Sequence, residues 1–145
     1  MKKLLFFKTA PIVFALLVVL APSLLFAGEV ILIANRNVPD DSLTKEEVKA
    51  IFLGEKTKWN DNSRVTFVVL KSPEEMDTFM KHYVGKSSFQ FDNYWKYQTF
   101  TGKGSPPRAF ENPGDLINFV AGTEGAVGYV AKGTPIDNVK EIAVK

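Results

Sequence analysis

The chain has 145 residues, of which 18 are basic, 16 are acidic, one is histidine and none is cysteine. Without cysteine, neither a disulfide framework nor a lipid-anchored N-terminus is predicted. Three of the basic residues fall within the first 27 residues, so residues 28–145 carry a formal charge of about −1. A nucleic-acid partner would lack its main electrostatic support, and we predict none.

The first 27 residues have the pattern of an export signal. Three lysines form a basic start, an apolar run follows over residues 11–26, and Ala27 offers a small residue at the cleavage position. A retained membrane anchor is the alternative. We expect cleavage after Ala27 and a periplasmic or otherwise secreted protein, whose single domain spans residues 28–145.

The start of this domain predicts a buried strand followed by a capped helix. Residues 30–34 form a continuous apolar run, which is typical of a central strand buried on both faces. The polar residues 35–41 predict a loop. Thr44 and Glu47 then form a capping box, and the helix they open is expected to end near Gly54.

A second strand is predicted to run directly into a second helix. Residues 65–70 are β-branched and apolar, and they pass into the helix with no room for a loop. Ser72 and Glu75 predict a capping box, and Pro73 suits the first helical position. The carboxyl end of a buried strand that feeds a helix is where open α/β sheets bind ligands. We therefore predict an anion site here, with charge from Lys71 and a hydroxyl from Ser72.

A third helix, capped at Ser87 or Ser88 and closed by Phe100, is rich in aromatic residues. One face of this helix predicts core packing rather than a ring-binding platform. The residues of that face are Phe91, Tyr94, Trp95 and Gln98. The following loop has the composition of a backbone nest for an oxyanion, and equally that of an ordinary loop. Its candidate anion-binding residues are Thr101, Gly102, Lys103, Gly104 and Ser105.

The last third of the chain predicts one more helix and two more strands. Asn112 caps a helix that stops near Gly122, residues 125–130 form a strand, and residues 139–144 form a final edge strand. Helices that alternate with apolar strands imply a sheet covered on both faces. We predict the α/β class, as a three-layer α/β/α sandwich.

Residue types that support catalysis are sparse in this sequence. His82 is the only histidine, and the helical pattern predicts that it faces solvent with no nucleophile beside it. One histidine without cysteine does not favour a zinc site. The glycines around Lys103 lack the remaining P-loop pattern. We predict no enzymatic activity, no cofactor and no metal.

Several blocks of the sequence resemble the phosphate-binding periplasmic proteins that serve phosphate ABC transporters. Ser42-Leu43-Thr44, followed by residues 51–59, is similar to the "SLT…IFLGK…W" block of that family. Residues 94–95, 100–104 and 125–129 resemble later blocks of its small, single-lobe members. The resemblance implies one lobe of a type II periplasmic binding protein and an extracytoplasmic solute-binding role.

The sequence departs from this family where phosphate is bound. The family has an arginine followed by a Gly-Ser-Gly-Thr-like turn, and the matching segment here is residues 71–75. Lys71 and Ser72 retain a cation and a hydroxyl. Glu74 and Glu75 would repel a dianion, and Pro73 donates no amide.

Two hypotheses about function follow. In the first, the protein is an exported oxyanion-binding module for phosphate or a similar ion, with a membrane transporter as partner and a second copy of the chain replacing the missing lobe. In the second, a ligand-free lobe acts as a protein-interaction module in an envelope assembly. The acidic first turn of the second helix and exposed aromatic residues around Trp59 would form that interface.

Overall fold

The computed structural model describes residues 28–145, and the predicted export signal lies outside this range. The described residues form six strands and four helices in mixed order. The strands are β1 (Val30–Asn35), β2 (Ser42–Leu43), β3 (Thr66–Leu70), β4 (Arg108–Phe110), β5 (Ala126–Ala131) and β6 (Val139–Val144). The helices are α1 (Lys45–Phe52), α2 (Pro73–Phe79), α3 (Ser88–Phe100) and α4 (Pro113–Gly122).

All six strands belong to one sheet with the order β2-β6-β1-β5-β3-β4. Strand β1 is antiparallel to both of its neighbours, whereas β3 is parallel to β5 and β4. The predicted central position of β1 is confirmed. The prediction that β6 is an edge strand is wrong, because the two-residue strand β2 pairs with its outer side.

Helices cover both faces of the sheet, which confirms the three-layer α/β/α prediction. On one face, Leu116 of α4 lies so close to Gly128 that an added Cβ would meet its Cδ2 at 3.1 Å. On the other face, Tyr129 of β5 contacts Phe52 of α1 and Phe79 of α2. Neighbouring residues of a strand point to opposite faces, so Gly128 faces the layer formed by α4, and Tyr129 faces the layer that contains α1 and α2.

The centre of the core is an aromatic cluster against β3 and β5. The rings of Phe79 and Tyr129 stack with centroids 4.0 Å apart, and Phe52 meets Phe79 edge-on at 4.7 Å. The Tyr129 hydroxyl donates a 2.7 Å hydrogen bond to the carbonyl oxygen of Leu70. The cluster therefore fixes α1 and α2 against the sheet. Through the Tyr129 hydroxyl it also binds the carbonyl of Leu70, the last residue of β3.

Of the two predicted capping boxes, the one at α1 forms. The Glu47 amide donates to the Thr44 hydroxyl at 3.1 Å, and the Thr44 amide donates to the Glu47 carboxylate at 2.9 Å. Ser87 and Gln90 make the equivalent pair at α3. The capping box predicted for α2 is wrong.

At α2, the Ser72 hydroxyl donates to the carboxylate of Glu75 and leaves the helix amides without a side-chain cap. The Ser72 side chain is oriented so that its hydroxyl donates to the charged carboxylate, and its oxygen accepts no bond from the helix amides. The helix then continues through a π-helical turn, Met80–Val84, and ends at Gly85 in the left-handed conformation.

Trp59 is buried, which corrects the expectation that it belongs to an exposed aromatic surface. Only 2% of the residue is exposed, and its indole N–H donates a 3.0 Å hydrogen bond to the carbonyl oxygen of Gly125. The same carbonyl accepts the amide of Thr66 at 3.0 Å. Trp59 therefore anchors the turn before β3 to the start of β5.

The close approach at Gly125 generates a stability prediction. Gly125 has φ +72°, and an added Cβ would lie 2.1 Å from the carbonyl oxygen of Arg64. Gly125→Ala therefore combines left-handed strain with a backbone clash, and we expect it to lower the free energy of unfolding by about 3 kcal/mol or more. Urea denaturation measures the difference.

Gly85→Ala is the matched control, because Gly85 has the same φ of +72° but nothing within 4 Å of the added Cβ. This variant isolates the cost of the backbone conformation, which is about 1–2 kcal/mol. Equal losses in the two variants would contradict the assignment of a steric role to the position of Gly125.

The buried hydroxyl of Tyr129 generates a pH prediction. Burial raises the pKa of Tyr129 above its ordinary value of 10.0. The stability from this group is fully present below pH 10 and is lost as the pH rises, because the unfolded chain ionises first. We expect the decline above about pH 10 to reach up to ~1.4 kcal/mol per pH unit.

Tyr129→Phe should lack this part of the decline, while costing about 1–3 kcal/mol at neutral pH through the lost hydrogen bond. Denaturant titrations of both proteins between about pH 8 and pH 11.5 measure the two effects. Parallel pH profiles for the two proteins would rule out Tyr129 as the titrating group.

Candidate functional site

The end of β3 places the predicted cation Lys71 at the rim of the sheet. Tyr129 holds the carbonyl of Leu70 on one side, and the amide of Lys71 donates a 2.7 Å hydrogen bond to the carbonyl of Phe110 in β4. The Lys71 side chain is exposed, while Ser72 is half-buried. The backbone at this position is therefore fixed from two neighbouring strands.

Lys71 lines a cleft of about 580 Å³, which we call the edge cleft. Val69 and Ala109 form its floor, and these two residues are register partners across β3 and β4. Helix α3 forms one wall, and Pro106 and Pro107 form the other. The edge cleft thus lies on the face of the sheet that α3 covers, at the β4 edge.

Trp95 is the most firmly held part of the α3 wall. Its indole N–H donates a 3.1 Å hydrogen bond to the carbonyl of Phe52, and its ring lies 5.5 Å from that of Phe67. An added Cβ at Gly54 or Gly104 would meet the Trp95 ring at 2.8 Å or 3.1 Å, respectively. The two glycines let the backbone approach the ring closely, so Trp95 forms a rigid wall.

The charged residues of the edge cleft are Lys71, Lys96 and Asp92. Both lysines are exposed, and Asp92 is half-buried. Two cations against one carboxylate give the cleft a formal charge of +1. This balance favours an anionic ligand over a cationic one.

Lys96 and Asp92 were not among the sequence-predicted site residues. Both belong to α3, for which the aromatic residues predicted only core packing. Their spacing could have indicated that they act together, because residues four apart in a helix lie on the same face. That face is the one that lines the edge cleft. Nothing in the sequence indicated that Ala109 would form the floor.

The predicted loop segment Thr101, Gly102, Lys103, Gly104 and Ser105 is exposed and connects two residues of the edge cleft, Phe100 and Pro106. The first three of its amides donate to carbonyls at the end of α3, with acceptors Tyr97, Thr99 and Gln98. These amides form a helix C-terminal cap, and an anion gains access to them only if the cap opens. The loop therefore borders the edge cleft without lining it.

A second cleft, of about 470 Å³, lies on the other side of the β3–α2 junction. We call it the acidic cleft, because Glu29, Glu74 and Glu75 line it together with Lys132. Lys132 forms a 2.8 Å ion pair with Glu29. The negative charge of Glu75 also contributes to the raised pKa of the buried Tyr129 hydroxyl, after burial itself.

Helix α3 also exposes large aromatic side chains on its outer side. Phe100 is 91% exposed, Phe89 is 73% exposed and Tyr97 is 60% exposed. Their positions along α3 place them on one face, opposite the buried Phe91 and Trp95. The predicted core face is confirmed, and the outer aromatic face is an addition to it.

Within residues 28–145, no group of histidine, aspartate and glutamate side chains is arranged to hold a metal ion. Over the same range, none of the helices has both the length and the apolar character that crossing a membrane requires. His82 is exposed, as predicted.

Comparison with known proteins identifies the class to which this lobe belongs. A family model described as "PBP superfamily domain" matches residues 20–143, so the chain belongs to the periplasmic-binding-protein-like superfamily. The predicted relationship is thereby confirmed. A search of curated protein sequences gave no match.

Several solved structures share the fold. An ABC-type phosphate transport receptor from Vibrio cholerae matches with a TM-score of 0.61 at 16% identity, over 81% of this chain and 46% of the receptor. PstS from Borrelia burgdorferi matches with a TM-score of 0.60 at 15% identity, over 81% and 47%. A phosphate binding protein from Stenotrophomonas maltophilia matches with a TM-score of 0.53 at 17% identity, over 81% and 39%.

The chain therefore spans less than half the length of each of these structures, which fits a single lobe. At these identities the likeness concerns the fold alone. Family and fold are those of binding proteins.

The charges at the first turn of α2 generate a prediction about anion affinity. Glu74 and Glu75 place two carboxylates beside the β3–α2 junction and oppose an anion near Lys71. The double substitution Glu74→Gln and Glu75→Gln should strengthen phosphate binding by about threefold at low ionic strength. Calorimetric titration at low and high salt measures the change.

Glu46→Gln together with Glu47→Gln is the comparison variant, because it removes the same charge from the first turn of α1. An equal gain in both variants would show that net charge, rather than the position of Glu74 and Glu75, controls affinity.

Proposed function

We propose that this protein is a binding lobe for an anionic solute of the oxyanion type, with phosphate or a phosphate-like ion as ligand. The site is the edge cleft, with Lys71 and Lys96 as the cationic residues. Two further predicted groups lie beside the cleft without lining it. They are Ser72, which follows Lys71, and the loop residues Thr101, Gly102, Lys103, Gly104 and Ser105.

One observation carries this proposal: two sequence segments with anion-binding character border the same cleft. Lys71 lines the cleft from β3, and the loop that contains Lys103 joins Phe100 and Pro106, which both line it. The net positive charge of the lining residues supports an anionic ligand. The membership in a family of binding proteins supports a solute-binding role.

Export and transport belong to the same proposal. The pattern of residues 1–27 supports an exported protein that is periplasmic or otherwise secreted. The fold shared with an ABC-type phosphate transport receptor supports a membrane transporter as partner. A second copy of the chain, as a homodimer, would take the place of the lobe that the longer structures have.

A protein-interaction role is the second candidate function, and the outer face of α3 favours it. Phe89, Tyr97 and Phe100 are exposed together, and large exposed aromatic side chains are characteristic of protein interfaces. In this case an envelope protein binds the outer face of α3, and the edge cleft needs no ligand.

Removing the two lysines tests the proposed function. Lys71→Ala and Lys96→Ala should each weaken phosphate binding by about tenfold, because each removes a charged group that faces the ligand. Isothermal titration calorimetry with phosphate, and with sulfate as the comparison ion, measures the affinities. Light scattering in the same samples reports the oligomeric state.

Lys58→Ala is the matched control, because Lys58 is an exposed lysine in the turn that precedes β3, at the opposite end of that strand from Lys71. We expect it to leave the affinity unchanged. No heat and no thermal stabilisation at millimolar phosphate would refute inorganic phosphate as the ligand of the edge cleft. A stable hetero-complex that is disrupted by Phe89→Ser, a change outside the edge cleft, would then support the interaction role.

A further inference from the structure

We infer that the edge cleft takes an organic anion with an apolar body, such as an aryl or alkyl phosphate or carboxylate, rather than a bare inorganic ion. This inference rests on the proposed function and specifies the ligand class for the same site. It follows from the size of the cleft, the chemistry of its walls and the placement of its charges.

The size of the edge cleft exceeds what an inorganic oxyanion requires. Its volume of about 580 Å³ lies in the range of roughly 300–1,000 Å³ that is typical of pockets for organic ligands. One phosphorus and four oxygen atoms would contact only a small part of such walls. The remaining space matches a ligand body of several carbon atoms.

The walls of the cleft are apolar over most of their extent. The rings of Phe91 and Trp95 belong to the α3 side, and Pro106 and Pro107 stand opposite them. Such walls offer an inorganic dianion no hydrogen bonds and reduce its hydration, which opposes binding. The same walls favour an apolar group that leaves water.

The charges lie at positions that suit one anionic end. Lys71 follows the last residue of β3, and Lys96 lies on α3 one residue after Trp95. An anionic head group would bind these exposed ammonium groups while the apolar body contacts the floor at Ala109. The rigidity of Trp95 between Gly54 and Gly104 means that the cleft is already formed without ligand.

Phenyl phosphate and inorganic phosphate are the two probes that test this inference on the purified protein. We expect phenyl phosphate to bind at least about thirtyfold more tightly, because burial of the ring adds to the charge interaction. The chain has two tryptophans, so ¹⁵N–¹H spectra contain two indole signals. Phenyl phosphate should shift the signal of Trp95, which lines the cleft, and leave that of Trp59, which does not line it, in place.

Ala109→Phe fills the floor of the edge cleft and should abolish the advantage of phenyl phosphate while Lys71 still attracts inorganic phosphate. Ala143→Phe on β6 is the matched control, since Ala143 is also exposed on a strand but lies outside the cleft. The spectra of the unmodified protein test the site even if Ala109→Phe fails to fold.

The outcomes separate this inference from the proposed function. Preference for phenyl phosphate, with a shift of the Trp95 signal, supports an organic anion in the edge cleft. Equal affinity for both probes, or an unchanged Trp95 signal, overturns the inference and leaves an inorganic oxyanion site standing. Failure of both probes to bind overturns the inference together with the proposed function.

Discussion

The structure depends on how the last residues of β3 are held. The Tyr129 hydroxyl donates to the carbonyl of Leu70, and the amide of the next residue, Lys71, donates to the carbonyl of Phe110. One bond comes from the buried aromatic cluster and the other from the edge strand β4. Both bonds act on the single peptide group that joins Leu70 to Lys71, one at its carbonyl and one at its amide, so the strand end is fixed in position as well as in direction. The exposed side chain of Lys71 therefore starts from a rigid base, which lowers the entropic cost of using it to bind a ligand.

The β3–α2 junction also separates two environments of opposite charge. The edge cleft carries Lys71 and Lys96 against Asp92, and the acidic cleft carries three glutamates against Lys132. The family resemblance implied a phosphate site at the turn that opens this helix. In this chain that turn contains Pro73 and two acidic residues, so it lacks an amide and repels a dianion. The proposed anion site therefore lies on the α3 side of the junction rather than at the helix N-terminus.

The sequence predicted the elements that leave a recognisable local pattern. Burial on both faces leaves a continuous apolar run, as in β1, β3 and β5, and a capping box leaves a fixed spacing, as at Thr44 and Glu47. Strands β2 and β4 have two and three residues, which is too short for any pattern, and they exist because β6 and β3 offer free edges. Ser72 was predicted as a cap because sequence spacing cannot show that its hydroxyl prefers the Glu75 carboxylate. The edge cleft combines β3, α3 and β4, so sequence indicated Lys71 but not Lys96 or Ala109.

The short strands at both ends of the sheet have a consequence for behaviour in concentrated solution. An open sheet edge is a template on which another chain can add a strand, and long flat edges promote aggregation. Here one edge is the two-residue β2 and the other is the three-residue β4, which follows Pro106 and Pro107. These two edge strands offer few backbone groups of their own, and the prolines before β4 lack the amide that strand addition requires. The same prolines that form a wall of the edge cleft thus disfavour intermolecular β-pairing at the β4 edge.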